Sequence, residues 1–396
     1  MALTVDPATF RDILADPGGA ESLSAAAGTA LVVVEVRDAA AGIHLAGLDI
    51  TSLPAVVIVV AQDPGVLVPA ALGSGDVILT QDAAAGAPFA GSGDVASEIR
   101  QIASVLESNP VAGAALAMLL RSSAGLSVPA ALVAESATYS ALQEGEEFRR
   151  WRLGRPVRGP DGPAAPGDSG EAAIRSGPGR GPGPDPQPGP GRVPGPDPGP
   201  GPGRGLDPGP GPEPERVRVE RAGQELRITL ARPERRNALD RRMRDALTSA
   251  LVIAACDPSC QVVLRGLGPD FCAGGDLDEF GSRPDPATAH LIRLTRSPAR
   301  VLHRVADRTT AYLHGSCLGA GIELPAFAGR VIAAPDARFG LPEVRLGLVP
   351  GAGGTASLPR RIGRWRTAYL ALSGHVADAE QALRWGLVDA VLPDGG

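Results

Sequence analysis

Two glycine-rich segments in the second half of the chain have the composition of loops that hold a ligand through main-chain amides. Residues 271–276 have the sequence FCAGGD and follow a predicted strand, and residues 314–323 (HGSCLGAGIE) join a predicted strand to a helix. Small residues let a ligand approach the backbone, and free N–H groups at a helix start suit a developing oxyanion. Tight packing turns have the same composition, so each loop by itself leaves both interpretations open.

Two carboxylates lie close to these loops in the sequence. Glu323 falls in the first turn of the helix after the second loop, and Glu343 ends the segment FGLPE at residues 339–343. The two are 20 residues apart, so no helical period joins them and only the fold can bring them together. Because a glutamate is ordinarily a solvated surface residue, spacing alone favours that simpler interpretation.

The elements around these residues place each loop after a strand. In the second segment, residues 216–396, strands and helices alternate, which predicts an α/β domain with covered sheet faces. We predict, in chain order, a hairpin of 216–220 and 225–231, a helix at 240–255, a strand at 261–265, a helix at 289–305 that is kinked or broken at Pro298, a strand at 309–313, a helix at 321–328 and a strand at 331–334.

The first segment, residues 1–153, is predicted to be a smaller α/β unit in which strands come before helices. It holds one histidine, His44, and no cluster of catalytic residue types, so we interpret it as a structural or docking segment. The predicted strands are 31–36, 56–60 and 76–80, and the predicted helices are around 99–106, 111–120 and 129–143, with a continuation at 146–151.

Between the two segments, residues 154–215 have the composition of a linker. Gly or Pro occupies 28 of the 38 positions from 177 to 214, and the lack of a three-residue period excludes collagen. Such a sequence buries too little apolar surface to offset its ordering entropy, so we predict that it is disordered.

Composition excludes several classes of function for this chain of 396 residues. All 38 cationic residues are Arg, which excludes Schiff-base chemistry on lysine, and the net charge of −6 argues against nucleic-acid binding. The four cysteines form no disulfide scaffold and fit a reducing compartment, and Cys256 and Cys260 lack the partners of a metal site. No signal peptide or membrane-length apolar run is visible, which predicts a soluble cytoplasmic protein without a membrane partner.

The second segment resembles the crotonase superfamily, the enoyl-CoA hydratase/isomerase family, over about 175 residues. The motifs that carry the resemblance occur in the family's order: NAL at 237–239, FCAGGDL at 271–277, GSCLGAGIE at 315–323, FGLPE at 339–343, GLVPGAGGT at 347–355 and the stretch 379–391. The resemblance implies a ClpP/crotonase-like β-β-α spiral fold for this domain.

The resemblance also implies an acyl-CoA site. The backbone N–H groups of Gly275 and Ala320 would bind the thioester carbonyl oxygen, and Ala320 stands where many relatives have Gly. Glu343 would move the proton at the α-carbon, and Glu323 would help to activate a water near the β-carbon. The expected reaction is hydration of a 2-enoyl-CoA; isomerisation, another acyl-CoA lyase reaction and a non-catalytic assembly subunit are the alternatives.

Further expectations concern substrate contacts and assembly. Ala273, Asp276 and Leu277 in the first loop are expected to contact the substrate, and Arg236 is a candidate to face a CoA phosphate. His314 either packs on its strand or touches the substrate. No metal and no separate cofactor are expected, because coenzyme A is part of the substrate. The family resemblance predicts a homo-oligomer, a trimer or a hexamer.

The second segment ends at residue 396 without the helices that close the acyl pocket in typical members of the family. Residues 97–112 resemble the family's tail helix, and residues 131–151 resemble the family's next helical stretch after it. We therefore hypothesise that residues 95–151 pack on the second segment. A flexible linker of about 60 residues spans roughly 45 Å, which permits that packing.

Overall fold

The computed structural model of the chain describes residues 2–91, 93–155, 215–282 and 285–393. The linker that the sequence predicts at 154–215 lies outside the described residues, apart from positions 154, 155 and 215. Described residues lie on both sides of it, and the division of the chain at this position stays a prediction.

The first segment has four strands and seven helices in its described part. The strands are β1 (Ala2–Val5), β2 (Leu31–Val36), β3 (Val56–Ala61) and β4 (Val77–Thr80). The helices are α1 (Pro7–Ala15), α2 (Pro17–Ser22), α3 (Ala39–Ile43), α4 (Val95–Ser108), α5 (Pro110–Ser122), α6 (Val128–Leu142) and α7 (Glu146–Leu153). The strands form one parallel sheet in the order β1-β2-β3-β4.

Unbroken apolar runs make the central strands of this sheet buried on both faces. In β3, Val56 and Ile58 pack in one core with α4 and α5, while Val57 and Val59 pack in a second core with α1. The sequence patterns located β2 to β4 and α4 to α7. They missed β1, which alternates exposed and half-buried residues, and the short helices α1 to α3.

The second segment has nine strands and six helices in its described part. The strands are β5 (Val217–Ala222), β6 (Glu225–Leu230), β7 (Gln261–Gly266), β8 (Thr309–Leu313), β9 (Ser316–Leu318), β10 (Arg330–Ala333), β11 (Arg338–Gly340), β12 (Ala377–Asp378) and β13 (Ala390–Val391). The helices are α8 (Arg241–Cys256), α9 (Pro286–Thr295), α10 (Pro298–Arg304), α11 (Ala320–Glu323), α12 (Gly354–Ser373) and α13 (Ala379–Trp385).

These strands form two sheets, and both glycine-rich loops lie where the sheets meet. The six-stranded sheet has the order β13-β10-β8-β7-β6-β5 and is parallel except for β5, which pairs antiparallel with β6. The three-stranded sheet has the order β12-β11-β9. The second loop leaves the larger sheet at β8 and contributes β9 to the smaller one before α11 begins.

Proline divides one predicted helix where the sequence predicted a kink or break, and it shortens a second helix that was predicted to be longer. The helix predicted at 289–305 is two helices, because α10 begins anew at Pro298 with the Ser297 hydroxyl capping its first turn. The helix predicted at 321–328 is only the four-residue α11. It is followed by a 3₁₀ turn that starts at Pro325, which has no N–H to continue an α-helix.

The helices of the first segment lie directly on the second segment. α6 packs beside α9, and α12 packs against α4, α5 and α6, so that one apolar core runs through both segments. Polar and aromatic contacts join the two parts: the Trp365 indole donates to Leu72 O at 3.0 Å, and the Trp151 and Phe280 rings lie 6.1 Å apart. This is the packing that the docking hypothesis for residues 95–151 requires.

None of the described helices is by itself long and apolar enough to cross a bilayer. The pair α4 and α5 passes the same test only when taken together, and it is bent by 112° at Asn109.

Candidate active site

The two glycine-rich loops lie side by side. Backbone hydrogen bonds connect them, from Phe271 N to His314 O at 2.9 Å and from Leu318 N to Cys272 O at 3.1 Å. Gly274 has a φ of 105°, and a Cβ there would come within 3.1 Å of Leu318 O. Only glycine therefore allows this loop to approach its neighbour so closely.

Each loop presents backbone N–H groups that donate to no described residue. Those of Gly274 and Gly275 in the first loop and of Ala320 and Gly321 in the second are without such a partner, whereas Asp276 N donates to Leu239 O and Gly319 N donates to Gly340 O. Ala320 is the first residue of α11, where helix geometry leaves N–H groups free. Its φ is negative, so alanine replaces glycine here without backbone strain.

Glu323 is buried beside these loops and is held by a neighbouring turn. It is 2% exposed, and its Oε2 accepts hydrogen bonds from Ala352 N at 2.7 Å and Gly354 N at 2.8 Å. Burial raises the pKa of this carboxyl well above its ordinary value. The nearby charge of Glu343 adds to the increase, and the two N–H donors oppose it.

Glu343 lies against the second loop with one oxygen free. It is 8% exposed, and its Oε2 has no hydrogen-bond partner among the described residues. Its carboxylate packs on Gly319, where a Cβ would collide with Oε1. Burial raises the pKa of Glu343 to about 8, and the charge of Glu135 contributes to the increase. A buried acid with an unpartnered oxygen is poised to exchange a proton with a bound molecule.

A third buried carboxylate, Glu135, reaches this region from α6 of the first segment. Its Oε1 accepts from Gly353 N at 2.7 Å, and its Oε2 accepts from Thr355 N at 2.9 Å and from the Thr355 hydroxyl at 2.7 Å. Burial raises the pKa of Glu135 to about 7, against the effect of these donors. Tyr139, one turn further along α6, packs its ring on Gly351.

Sequence patterns placed Glu135 and Tyr139 only within a stretch that resembles the family's tail, and they predicted a role for neither residue. No local motif distinguishes Glu135, because its donors lie 218 and 220 residues further along the chain. The resemblance of residues 131–151 to the family's tail was the one available signal.

A cavity of about 90 Å³ lies beside Glu135, between the two segments. Its wall is mostly apolar, and three arginines, Arg244, Arg293 and Arg296, also line it. Arg293 is engaged, because it donates to the Ser136 and Ser140 hydroxyls and lies 4.8 Å from the centre of the Tyr139 ring.

Two of the predicted substrate contacts have side chains that are occupied by other residues. Arg236 pairs with Asp270, Nε donating at 2.7 Å, and it also donates to the Ser316 hydroxyl. Asp276 is 5% exposed and pairs with Arg232 at 2.6 Å and Arg235 at 3.3 Å. The Asp276 carboxylate is thus an ion-pair partner that holds the first loop, and a substrate contact of this residue stays a prediction.

The remaining predicted contacts lie along the first loop. Ala273 N donates to Arg236 O at 2.9 Å, and Leu277 comes after the loop as a half-buried residue. His314 Nε2 donates to Gly268 O at 2.9 Å. Within the described ranges, no group of three or more His, Cys, Asp or Glu side chains could hold a metal ion.

Comparison with known proteins identifies the family. The enoyl-CoA hydratase/isomerase family model matches residues 222–395. The 2,3-dehydroadipyl-CoA hydratase of Escherichia coli is 40% identical over 176 residues, which cover 44% of this chain and 68% of that protein. The mevalonyl-coenzyme A hydratase of Beauveria bassiana is 36% identical over 178 residues, 43% of this chain and 64% of that protein.

A solved enoyl-CoA hydratase structure from Thermoplasma volcanium is 36% identical and has a TM-score of 0.41, with 45% of this chain and 72% of that chain covered. The chain spans about two thirds of the length of the curated relatives it matches. It belongs to the enoyl-CoA hydratase/isomerase family, the crotonase superfamily. The α/β arrangement of its second segment is the crotonase-like fold that the motifs predicted.

Proposed function

We propose that this protein is an enoyl-CoA hydratase that adds water to a 2-enoyl-CoA and forms a 3-hydroxyacyl-CoA. The observation that carries the proposal is the placement of two unpartnered N–H groups, of Gly275 and Ala320, in adjacent loops beside two buried glutamates. This combination supplies electrophilic activation of a thioester together with proton transfer next to it.

In this proposal the thioester carbonyl oxygen accepts hydrogen bonds from Gly275 N and Ala320 N. These donors stabilise the enolate-like state that forms when water attacks the β-carbon. One such backbone donor is typically worth about 3 kcal/mol in a reaction barrier. Because the donors belong to the main chain, the loop backbone sets their positions before the substrate binds.

The two glutamates divide the proton transfers. Glu323, fixed by its two N–H donors, accepts a proton from the attacking water while the water oxygen bonds to the β-carbon. Glu343, whose Oε1 lies against the second loop and whose Oε2 is unpartnered, delivers a proton to the α-carbon. The product gains one hydrogen and one hydroxyl, and proton exchange between the two acids resets the pair. Repulsion between the buried carboxylates favours a state in which one of them is protonated.

Substrate recognition in this proposal uses the first loop. Ala273 and Leu277 would line the acyl-CoA site with their backbone and apolar side chains. Arg236 would face a CoA phosphate while it keeps its contact with Asp270. No cofactor enters the proposed reaction, since coenzyme A arrives with the substrate. A homotrimer or hexamer remains the predicted assembly.

Isomerisation of an enoyl-CoA double bond is the second candidate. The observation that favours it is the difference between the two acids: Glu343 has a free oxygen, whereas Glu323 is held by backbone donors. A single acid that shuttles one proton between two carbons would suffice for that reaction.

Incubation with crotonyl-CoA tests the proposal. Hydration removes the absorbance of the conjugated thioester and increases the product mass by one water, whereas a longer 3-enoyl-CoA converted without a change of mass would indicate isomerisation. Glu323→Gln and Glu343→Gln should each abolish the reaction. Wild-type rates in both variants, or no reaction of the wild type with any 2-enoyl-CoA, would contradict the proposal.

A further inference from the structure

The turn at the start of α12 is held by two glutamates from different parts of the chain. Four successive N–H groups, those of residues 352–355, alternate between them. The first and third donate to Glu323, at 2.7 and 2.8 Å. The second and fourth donate to Glu135, at 2.7 and 2.9 Å. A change in the hydrogen bonds between the turn and Glu135 therefore also changes the orientation of the N–H groups that donate to Glu323.

Close packing leaves this turn little freedom to adjust. Gly353 has a φ of 107°, and a Cβ there would come within 2.6 Å of the Phe327 ring. A Cβ on Gly354 would come within 2.6 Å of Glu323 Cγ. Glycine at both positions lets the amides lie directly over the two carboxylates. A shift of either carboxylate therefore displaces the donors of the other one.

We infer that Glu135, supplied by α6 of the first segment, is a positioning residue for the active site, because it fixes the turn whose remaining amides hold Glu323. The kinetic part of this inference rests on the proposed function, in which Glu323 activates water. Glu135 does not touch the reacting atoms in this account: all of its bonds within the described residues go to the turn.

The charge of Glu135 provides a measurement, the pH dependence of activity, that a purely structural role would not change. Glu135 raises the pKa of Glu323 and of Glu343 through Coulomb repulsion. The other titratable or charged groups that face it are Arg293 from α9, Tyr139 on its own helix, and Arg244 and Arg296 across the cavity. Loss of the Glu135 charge should therefore lower the pKa of both active-site acids.

The decisive comparison is Glu135→Gln against Glu147→Gln in the full chain. Glu147 is a matched control, since it is also buried and also accepts two backbone N–H bonds, from Val111 at 2.8 Å and Ala112 at 2.9 Å. These bonds lie inside the first segment. We expect Glu135→Gln to lower kcat at least tenfold and to move the kcat–pH profile about one unit toward lower pH. Glu147→Gln should lower the melting temperature and leave the profile in place.

The conservative variant Glu135→Asp separates the effect of the negative charge from the effect of side-chain length. It keeps the negative charge and shortens the side chain by one methylene, so kcat should fall while the pH profile stays at its wild-type position. A wild-type profile in Glu135→Gln, or the same shift in Glu147→Gln, would overturn the inference while the hydratase activity itself stands.

Amide hydrogen exchange supplies a readout that needs no substrate. In Glu135→Gln, the peptide that spans residues 352–355 should exchange at least tenfold faster than in the wild type and in Glu147→Gln. If Glu135→Gln does not fold, Thr355→Val is measured instead, because it removes only the hydroxyl that donates to Glu135. Unchanged exchange overturns the inference. A wild type that hydrates no enoyl-CoA overturns the proposed function, and the exchange result still decides the role of Glu135 in the turn.

Discussion

The carboxylate of Glu343 lies against Gly319, the residue directly before the unpartnered N–H of Ala320. Gly319 has φ 50° and ψ −122°, a conformation that residues with a Cβ rarely adopt. One glycine thus brings Glu343 close to the N–H of Ala320, the proposed oxyanion donor. Its missing side chain leaves the space that the carboxylate occupies.

Gly319→Ala should therefore remove activity. The added methyl group meets Glu343 Oε1 and strains the backbone by about 1 to 3 kcal/mol, which displaces both the acid and the donor. We expect kcat for crotonyl-CoA to fall about a hundredfold or more. Gly86→Ala is the control, because its Cβ would meet nothing within 4 Å and its φ is ordinary. Equal activity of the two variants would show that this contact has no role.

Asp76 and Arg121 form a buried ion pair that is predicted to dominate the stability of the first segment. Arg121 Nε donates to Asp76 Oδ1 at 2.7 Å, and its guanidinium also donates to the carbonyls of Ile50, Leu53 and Ala55. Arg121→Met leaves the buried Asp76 charge with only Arg364, 3.7 Å away, as an ion-pair partner among the described residues, so the free energy of unfolding should fall by about 3 kcal/mol. Urea denaturation measures this change.

The exposed pair of Arg37 and Glu35 supplies the control for that measurement. Its side chains are 78% and 48% exposed, so Arg37→Gln should change the free energy of unfolding by less than about 1 kcal/mol. A loss in Arg121→Met as small as that in Arg37→Gln would contradict the importance of the buried pair.

The sequence patterns predicted most elements of the described fold because apolar periodicity reports burial. The runs at β2, β3 and β4 are apolar on both faces, and α4 ends where the Asn109-Pro110 pair interrupts it. The end of the short helix α11 was harder to predict. The apolar character of its sequence continues past Pro325, and only the missing N–H of that proline ends the helix.

Some residues of the candidate site could likewise be predicted from the sequence, and others could not. Glycine-rich loops can be recognised locally, and family resemblance paired Glu323 with Glu343 across 20 residues. The partners of Asp276 could not be predicted, since several arginines crowd residues 232–236 and only tertiary packing selects Arg232 and Arg235. The role inferred for Glu135 could not be predicted for a similar reason, because it depends on how the first segment packs on the second.

Stability should also fall with rising pH, because burial raises the pKa of Glu343 to about 8. An acid whose pKa is higher in the folded than in the unfolded state binds more protons when folded. Its contribution is complete below the unfolded value of about 4.5 and is lost as pH rises toward 8. Glu343→Gln removes this loss, so at pH 8 it should be more stable than the wild type by about 1 to 3 kcal/mol.

Urea denaturation at pH 5 and pH 8 tests this prediction. The wild type should lose stability between the two values, and Glu343→Gln should lose less. Glu147→Gln provides a comparison, because it replaces one of the two oxygens that accept from Val111 N and Ala112 N, and it should be destabilised at both pH values. A wild type that is equally stable at pH 5 and pH 8 would show that Glu343 does not hold a raised pKa.

The second segment should not function without the first. In the full chain, Ala368, Tyr369 and Leu372 of α12 are at most 1% exposed, and the helices α4 to α6 pack on α12. Residues 216–396 expressed alone would expose this apolar face and lose Glu135, so we expect an aggregated product without hydratase activity. Co-expression with residues 1–155 should restore both solubility and turnover, since the buried contacts re-form between two chains. A soluble fragment with full-chain activity would show that the first segment is dispensable and that Glu323 is positioned without it.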